Sequence, residues 1–140
     1  MKKSVIILIF LIYVASIAMV GFLGLKAKSY NDIIPVDEIV ILNDCRTDPS
    51  TGDRTITFVP ANENDKSIQL ECIVLPDNAT DKKIIYQLPS GFTKATIDEN
   101  GLLTFNVDGL AYAPVRIFSS QNPTKSIEIT VWRNPYATKP

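Results

Sequence analysis

The stretch from Lys94 to Gly109, KATIDENGLLTFNVDG, constrains the fold more than any other. Two short runs, Ala95 to Ile97 and Leu102 to Val107, flank the turn Asp98-Glu99-Asn100-Gly101. Asn-Gly is the strongest short-range hairpin signal, because both residues tolerate the positive φ of a tight turn. Apolar side chains on both arms predict a short antiparallel step inside a buried sheet.

The same punctuation recurs along the chain. Val36 to Leu42 is β-branched and apolar, Asn43 to Asp53 is a polar loop of turn formers, and Arg54 to Val59 alternates. Ser67 to Leu75 reads as one long strand with Ile68, Leu70, Cys72 and Val74 on one face. Lys83 to Gln87 forms another strand, between the Pro76–Lys82 loop and a Pro-Ser-Gly turn. Val115 to Ser119 follows with Pro114 at its start, where a missing amide donor does least harm. Ser126 to Trp132 turns Ile127, Ile129 and Val131 inward. About seven short strands, frequent turn signals and no amphipathic helix predict an all-β, antiparallel sandwich over residues 36–132. The polar tail, 133–140, is expected to be loose.

Ahead of this lies an apolar run without a charged residue, Val5 to Leu25. At about 1.5 Å per residue it covers roughly 31 Å, enough to cross a hydrocarbon core of about 30 Å. A cleaved signal peptide has a shorter apolar region and a small-residue site; here the end, Gly24-Leu25-Lys26-Ala27-Lys28, offers a poor one. A lipoprotein signal needs a cysteine just after the run, and the first is Cys45. A buried soluble helix that is apolar on all sides needs a larger protein around it. Residues 1–25 therefore read as a retained signal anchor, with residues 5–25 in lipid, and residues 26–35 as a juxtamembrane linker. Secretion after cleavage is the alternative. Ala15, Ala18, Gly21 and Gly24 recur at a spacing of three, not the four of the helix-dimer motif.

Four of the 14 basic residues, Lys2, Lys3, Lys26 and Lys28, flank the run, which leaves 10 basic and 15 acidic residues after it. A mildly acidic domain lacks the clustered basic face that nucleic acid requires. The chain has no histidine, the commonest general base and metal ligand. No nucleophile–base pair, cofactor motif or metal set takes its place, so the chain reads as non-enzymatic.

Two segments match a family pattern. Leu70-x-Cys72-x-Val74-x-Pro76-x-Asn78-Ala79-Thr80-x-Lys82 and Ala95-Thr96-Ile97-Asp98-x-Asn100-Gly101-Leu102 resemble the L-x-A-x-V-x-P-x-N-A-T-x-K and A-x-V-D-x-N-G-L segments of bacterial Ig-like domains of group 2. Gly109 sits at the family's next glycine, and Ile127-x-Ile129-x-Val131 resembles its closing strand. The resemblance covers about Val36 to Val131. It implies an Ig-like sandwich, similar to intimin- and invasin-type surface domains and to phage and cell-wall modules, outside the cytoplasm and adhesive or spacing in role. The chain departs from the family at Tyr86, where a tryptophan is usual, and in longer stretches at Asn43–Asp53 and Leu110–Ala113.

Cys45 and Cys72 are the only cysteines, and an oxidising compartment invites a disulfide between them. The usual Ig bridge joins the second strand to the sixth, and Val115 to Ser119 has no cysteine, so Cys72 also reads as a small buried hydrophobe. Asp44, Asp48 and Asp53 share a loop without the alternating ligand spacing of a calcium site. Asp98 and Glu99 are turn residues and not a catalytic pair held across a cleft. Asn78-Ala79-Thr80 has the form of a glycosylation sequon and is better explained by the loop pattern. Tyr112, Phe118 and Trp132 fall off the inward-facing sets and are the candidates for a partner surface, protein or carbohydrate, with packing under a loop or the linker as the other reading. The resulting expectation is a single-pass membrane protein presenting a binding, adhesion or spacer module outside the cell. A small accessory subunit of a membrane or envelope complex is the alternative.

Overall fold

A computed structural model describes residues 2–27 and 32–138, with side chains for 2–20 and 32–138. It divides into two compact units, Met1–Ile33 and Ile34–Pro140. The first unit holds α1, Lys3–Ala27, which includes both Val5 and Leu25. Its residues contain no proline and every described side chain is exposed, so the helix has no polar face to turn towards a protein core. The hydroxyl of Ser16 donates to the Ile12 carbonyl at 2.8 Å, which leaves no polar group of that side chain unsatisfied. The helix is long and apolar enough to cross a membrane. Residues 28–31 of the expected linker, and 139–140 of the tail, lie outside the described residues.

The second unit is an Ig-like β-sandwich. Its strands are β1 (Glu38–Ile41), β2 (Cys45–Thr47), β3 (Arg54–Phe58), β4 (Ser67–Gln69), β5 (Cys72–Leu75), β6 (Ile84–Gln87), β7 (Ala95–Ile97), β8 (Leu102–Phe105), β9 (Ala111–Ser119) and β10 (Ser126–Arg133). One layer is a five-stranded sheet in the order β2-β3-β10-β9-β6. The other comprises the pair β1-β5 and the three-stranded β4-β8-β7. All pairings are antiparallel except β3 with β10, which run parallel.

The ten strands exceed the eight runs read from the sequence for two local reasons. The polar loop Asn43–Asp53 contains β2, which pairs back on β3. Ser67 to Leu75 is not one strand but two, because Leu70 and Glu71 leave the ladder. There Leu70 donates to the Gly101 carbonyl at 2.9 Å, while the Asn43 amide bridges the break, donating to Gln69 O at 2.9 Å and accepting from Glu71 N at 2.7 Å. The side-chain phase survives the break: Leu70 and Val74 are buried and Ile68 and Cys72 pack against them.

Between the layers lies one core. Val36, Ile39, Leu70, Val74, Leu103 and Phe105 meet Ile56, Val115, Ile117, Ile129 and Val131, all at most 5% exposed. Burying each large aliphatic or aromatic side chain contributes about 1.5–3 kcal/mol, which is the main favourable contribution to folding. The domain begins before the expected boundary, since Ile34 N donates to Thr80 Oγ1 at 2.8 Å and Thr80 N to Ile34 O at 2.9 Å.

It also runs past the expected end. Arg133, read as the start of a loose tail, closes β10 and is 1% exposed. Its guanidinium donates to the carbonyls of Gly109 (2.7 Å), Glu63 (3.1 Å) and Asp65 (3.3 and 3.4 Å), which ties the loop before β4 to the loop before β9. Asn134 N still reaches Phe58 O at 2.9 Å. The strand containing Pro114 likewise starts earlier than expected: Ala111 and Ala113, taken for a loop, are buried inward-facing residues of β9. Pro114 is thus interior to β9 and lies beyond the end of the β6 ladder, which stops at Arg116 opposite Gln87.

The opening hairpin pairs β7 with β8. Its turn is the three-residue form: Asp98 N donates to Leu102 O (3.2 Å), Gly101 N to Asp98 O (3.1 Å), and Asp98 Oδ1 accepts from Asn100 N (2.9 Å) and Leu102 N (2.8 Å). Only Gly101 has positive φ, +83°; Asn100 does not, contrary to the two-residue form. A Cβ on Gly101 would sit 2.7 Å from Tyr86 Cζ and 3.0 Å from Leu70 O. Tyr86 therefore takes up the aromatic position by lying over a glycine.

Candidate interaction surface

The outward faces of the five-stranded sheet follow from its registers. Trp132 lies opposite Tyr112 and Thr57; Thr130 opposite Pro114 and Thr55; Glu128 opposite Arg116; Ser126 opposite Phe118. Strand alternation sends these residues out because Val131, Ile129, Ala113 and Val115 fill the core. Tyr112 and Trp132 are 43% and 38% exposed, with ring centroids 5.2 Å apart at 36°. Lys94 Nζ lies 5.7 Å from the Tyr112 centroid, within cation–π range. Leu110, 58% exposed, joins these three around a cleft of about 350 Å³.

Next to it, a groove of about 410 Å³ crosses the same face. Pro114 and Thr130 contribute to its lining, with Arg116 as an outward cation and Asp53 and Glu128 as anions; Arg54 reaches its rim from the core-facing phase of β3, which it shares with Ile56. Phe118 also faces outward, but it lies six residues along β9 from Tyr112 and carries the Arg116 guanidinium at 5.3 Å from its centroid. Two of the three aromatic candidates are thus brought together and the third stands apart.

The surface has a direction. Ile34, where the chain comes into the sandwich, bonds to Thr80, and the hydroxyl of Ser120 after β9 donates to Asp81 at 2.7 Å in the same loop. Tyr112 and Trp132 are at the opposite end, about 23 Å along β9 from Ser119 at 3.3 Å per residue.

The fold motif residues have structural places. Ala79 is buried and its N–H reaches Pro76 O at 2.9 Å, Asn78 is exposed, and the Leu75–Pro76 bond is cis. Gly109 has φ +75° and offers its carbonyl to Arg133. Of the two readings of the cysteines, the structure has the unbridged one: both thiols are free and pack against the core, one in β2 of the five-stranded sheet and the other in β5 opposite β1. Burial pushes both thiols up from their ordinary value. Burial likewise raises Tyr86 to about 12.

Asp48 caps its own turn, accepting from Ser50 N at 2.7 Å and from Ser50 Oγ, and these bonds lower its carboxyl. Among the described residues, no cluster of three or more His, Cys, Asp or Glu is arranged to hold a metal ion. The sequence reading missed Arg116 and Lys94. Arg116 was accessible to it, since a strand begun at Ala111 puts Tyr112 and Arg116 on one face. Lys94 reaches Tyr112 only through the sandwich, which no local pattern encodes.

These elements define a class: an apolar helix of membrane-spanning length, and an Ig-like sandwich with an exposed aromatic pair on its five-stranded sheet. Comparison with protein-family models finds no match, and comparison with curated proteins finds none.

Proposed function

We propose that this chain is a single-pass membrane protein whose Ig-like sandwich stands outside the cytoplasm as a binding or adhesion module. The observation that carries this reading is the exposed Tyr112–Trp132 pair at the end of the sandwich opposite Ile34. Solvent-exposed paired aromatics gain little by staying in water and are the usual anchors of contact surfaces. An uninterrupted apolar helix ahead of the domain supports the anchor. The resemblance of the Leu70–Lys82 and Ala95–Leu102 segments to bacterial Ig-like domains of group 2 supports the cell-surface setting. The acidic balance after Lys28 speaks for a polar exterior and against nucleic acid.

Sidedness tests the reading. Asn64 is exposed, and an Asn64→Cys chain in intact cells should react with a membrane-impermeant maleimide as fully as after lysis. Labelling only after lysis would place the sandwich in the cytoplasm and end the proposal.

A further inference from the structure

We propose that the free edge of β6 pairs antiparallel with β6 of a second copy of this chain, so that two sandwiches on facing membranes share one continuous sheet. This rests on the reading of the sandwich as an outward-presented adhesion module and names its partner.

Ser120 N donates to Lys83 O at 3.0 Å, which fixes the phase of the ladder between β6 and β9. In an antiparallel ladder, successive residues alternate in turning their backbone groups towards the neighbouring strand. Lys83, Ile85 and Gln87 therefore bond to β9, while Ile84 and Tyr86 turn N–H and C=O to the open side, where β6 ends the five-stranded sheet. Among the described residues no backbone bond reaches these four groups. Both residues are partly exposed and line a cleft of about 340 Å³ along this edge. A strand edge invites a further strand unless a charge, a proline or a cover prevents it. The other edges are protected in one of these ways. β1 carries Glu38 and β2 carries Arg46, Asn43 caps β4 at Gln69 O, and Val74 of β5 and Ala95 of β7 are 5% and 1% exposed. β6, Ile-Ile-Tyr-Gln, has neither charge nor proline.

This strand is its own complement. Centred on Ile85, antiparallel pairing sets Ile84 against Tyr86 of the second copy and Tyr86 against its Ile84, which satisfies every free group with four bonds. Ile85 then meets Ile85 of the second copy on the outer face. Phe118 lies opposite Ile85 on β9, so the row across the seam runs Phe118, Ile85, Ile85, Phe118. Four partly exposed apolar side chains become cross-strand neighbours. Lys83 falls opposite Gln87, and the two Lys83 stand about 13 Å apart along the seam; parallel pairing in register would put them side by side. A foreign peptide would use the same backbone groups without meeting the apolar row. Such a two-fold contact closes on itself, leaving no edge of β6 to grow a fibre.

Direction decides where the copies stand. Ile34 bonds to Thr80, just ahead of β6, so the two sandwiches have their Ile34 ends at opposite ends of the seam, as copies on facing membranes do. A four-residue seam buries far less than the roughly 1,200 Å² of a stable soluble complex, and its strength comes from many copies on each surface.

Full-length Ile85→Cys chain in phosphatidylcholine vesicles should form a disulfide-linked dimer on mild oxidation, because opposed residues of a non-hydrogen-bonded pair have Cα atoms about 4.5 Å apart. Gln87→Cys, on the same face but about 13 Å from its counterpart, should link about tenfold less. Wild type, with Cys45 and Cys72, sets the background. Wild-type vesicles should cluster in light scattering, and Ile85→Lys, which opposes two like charges at the centre of the seam, should slow clustering about tenfold. No linkage at Ile85→Cys, equal linkage at both positions, or clustering unchanged by Ile85→Lys overturns the proposal. Linkage without clustering also overturns it, since the copies would then pair within one membrane. Should Ile85→Lys lose its thermal transition, the two cysteine variants and wild-type clustering carry the test. The maleimide experiment at Asn64→Cys reports separately on sidedness, so an outward domain that fails to link removes this inference and leaves the binding-module reading in place.

Discussion

At the scale of single residues, the closest constraint is the contact between Gly101 and Tyr86. A side chain at 101 meets two costs: a positive φ of +83° and a clash at 2.7 Å with the Tyr86 ring, which packs against the core. Gly101→Ala should therefore lose about 2–4 kcal/mol in urea unfolding. Gly91→Ala shares the positive φ but meets nothing within 4 Å, and should lose only about 1 kcal/mol. Equal losses at the two positions would show that the Tyr86 contact is not rigid. Tyr86 itself has a spectroscopic signature. Burial raises its phenol from 10.0 to about 12, so its contribution to stability is complete below pH 10 and is lost as pH rises through about 12. The 295 nm absorbance difference between wild type and Tyr86→Phe should accordingly appear near pH 12; a transition near pH 10 would contradict the burial of the ring. The need for glycine at the turn was readable from Asn100-Gly101, because it is a property of local φ. That Tyr86 is the reason no Cβ fits was not, because the partner is far along the chain.

Among elements, the informative failure is the strand from Ser67 to Leu75. Alternation of Ile68, Leu70, Cys72 and Val74 identified the buried face correctly, since side-chain phase depends on sequence alone. Alternation carries no information about which sheet a strand joins, and the break between β4 and β5 depends on Asn43, well upstream. The Asn43 amide replaces a strand partner by bonding Gln69 O and Glu71 N. Asn43→Ala leaves both groups without a protein partner, and should cost about 1–2 kcal/mol of stability with faster amide exchange at Glu71. Unchanged exchange at Glu71 would mean water substitutes fully for the amide. The same reasoning explains the misread start of β9. Ala111 and Ala113 are poor strand formers by composition, and only their pairing with β10 at Arg133 and Val131 makes them strand. Half of the candidate surface was legible for the same cause: Tyr112, Phe118 and Trp132 could be assigned outward by phase, whereas the cation beside Tyr112, Lys94, arrives from the 88–94 segment.

For the whole molecule, two units with separate physical origins make separable predictions. The sandwich takes its stability from a core that starts at Val36 and ends at Val131 and Arg133, with no contribution needed from an exposed apolar helix. On the proposed reading the helix would take its stability from lipid, where each backbone group is satisfied within the helix and each apolar side chain favours insertion by about 0.3–0.6 kcal/mol. Ile9 and Ile12 lie near the middle of the candidate span, Lys3–Val20. Arginine at a span centre costs about 2.5–3.5 kcal/mol, so Ile9→Arg with Ile12→Arg should cost about 5–7 kcal/mol of insertion. The double variant should leave the membrane pellet on alkaline carbonate extraction, whereas wild type should stay. Its thermal transition should match wild type within the error of the melt, because both substitutions lie outside the core that defines the transition. If the pellet retained the variant, lipid would not be what holds the chain there. If the melt shifted with it, the helix would be part of the sandwich's own stability, and the division at Ile34 would be one of chain path and not of energetics.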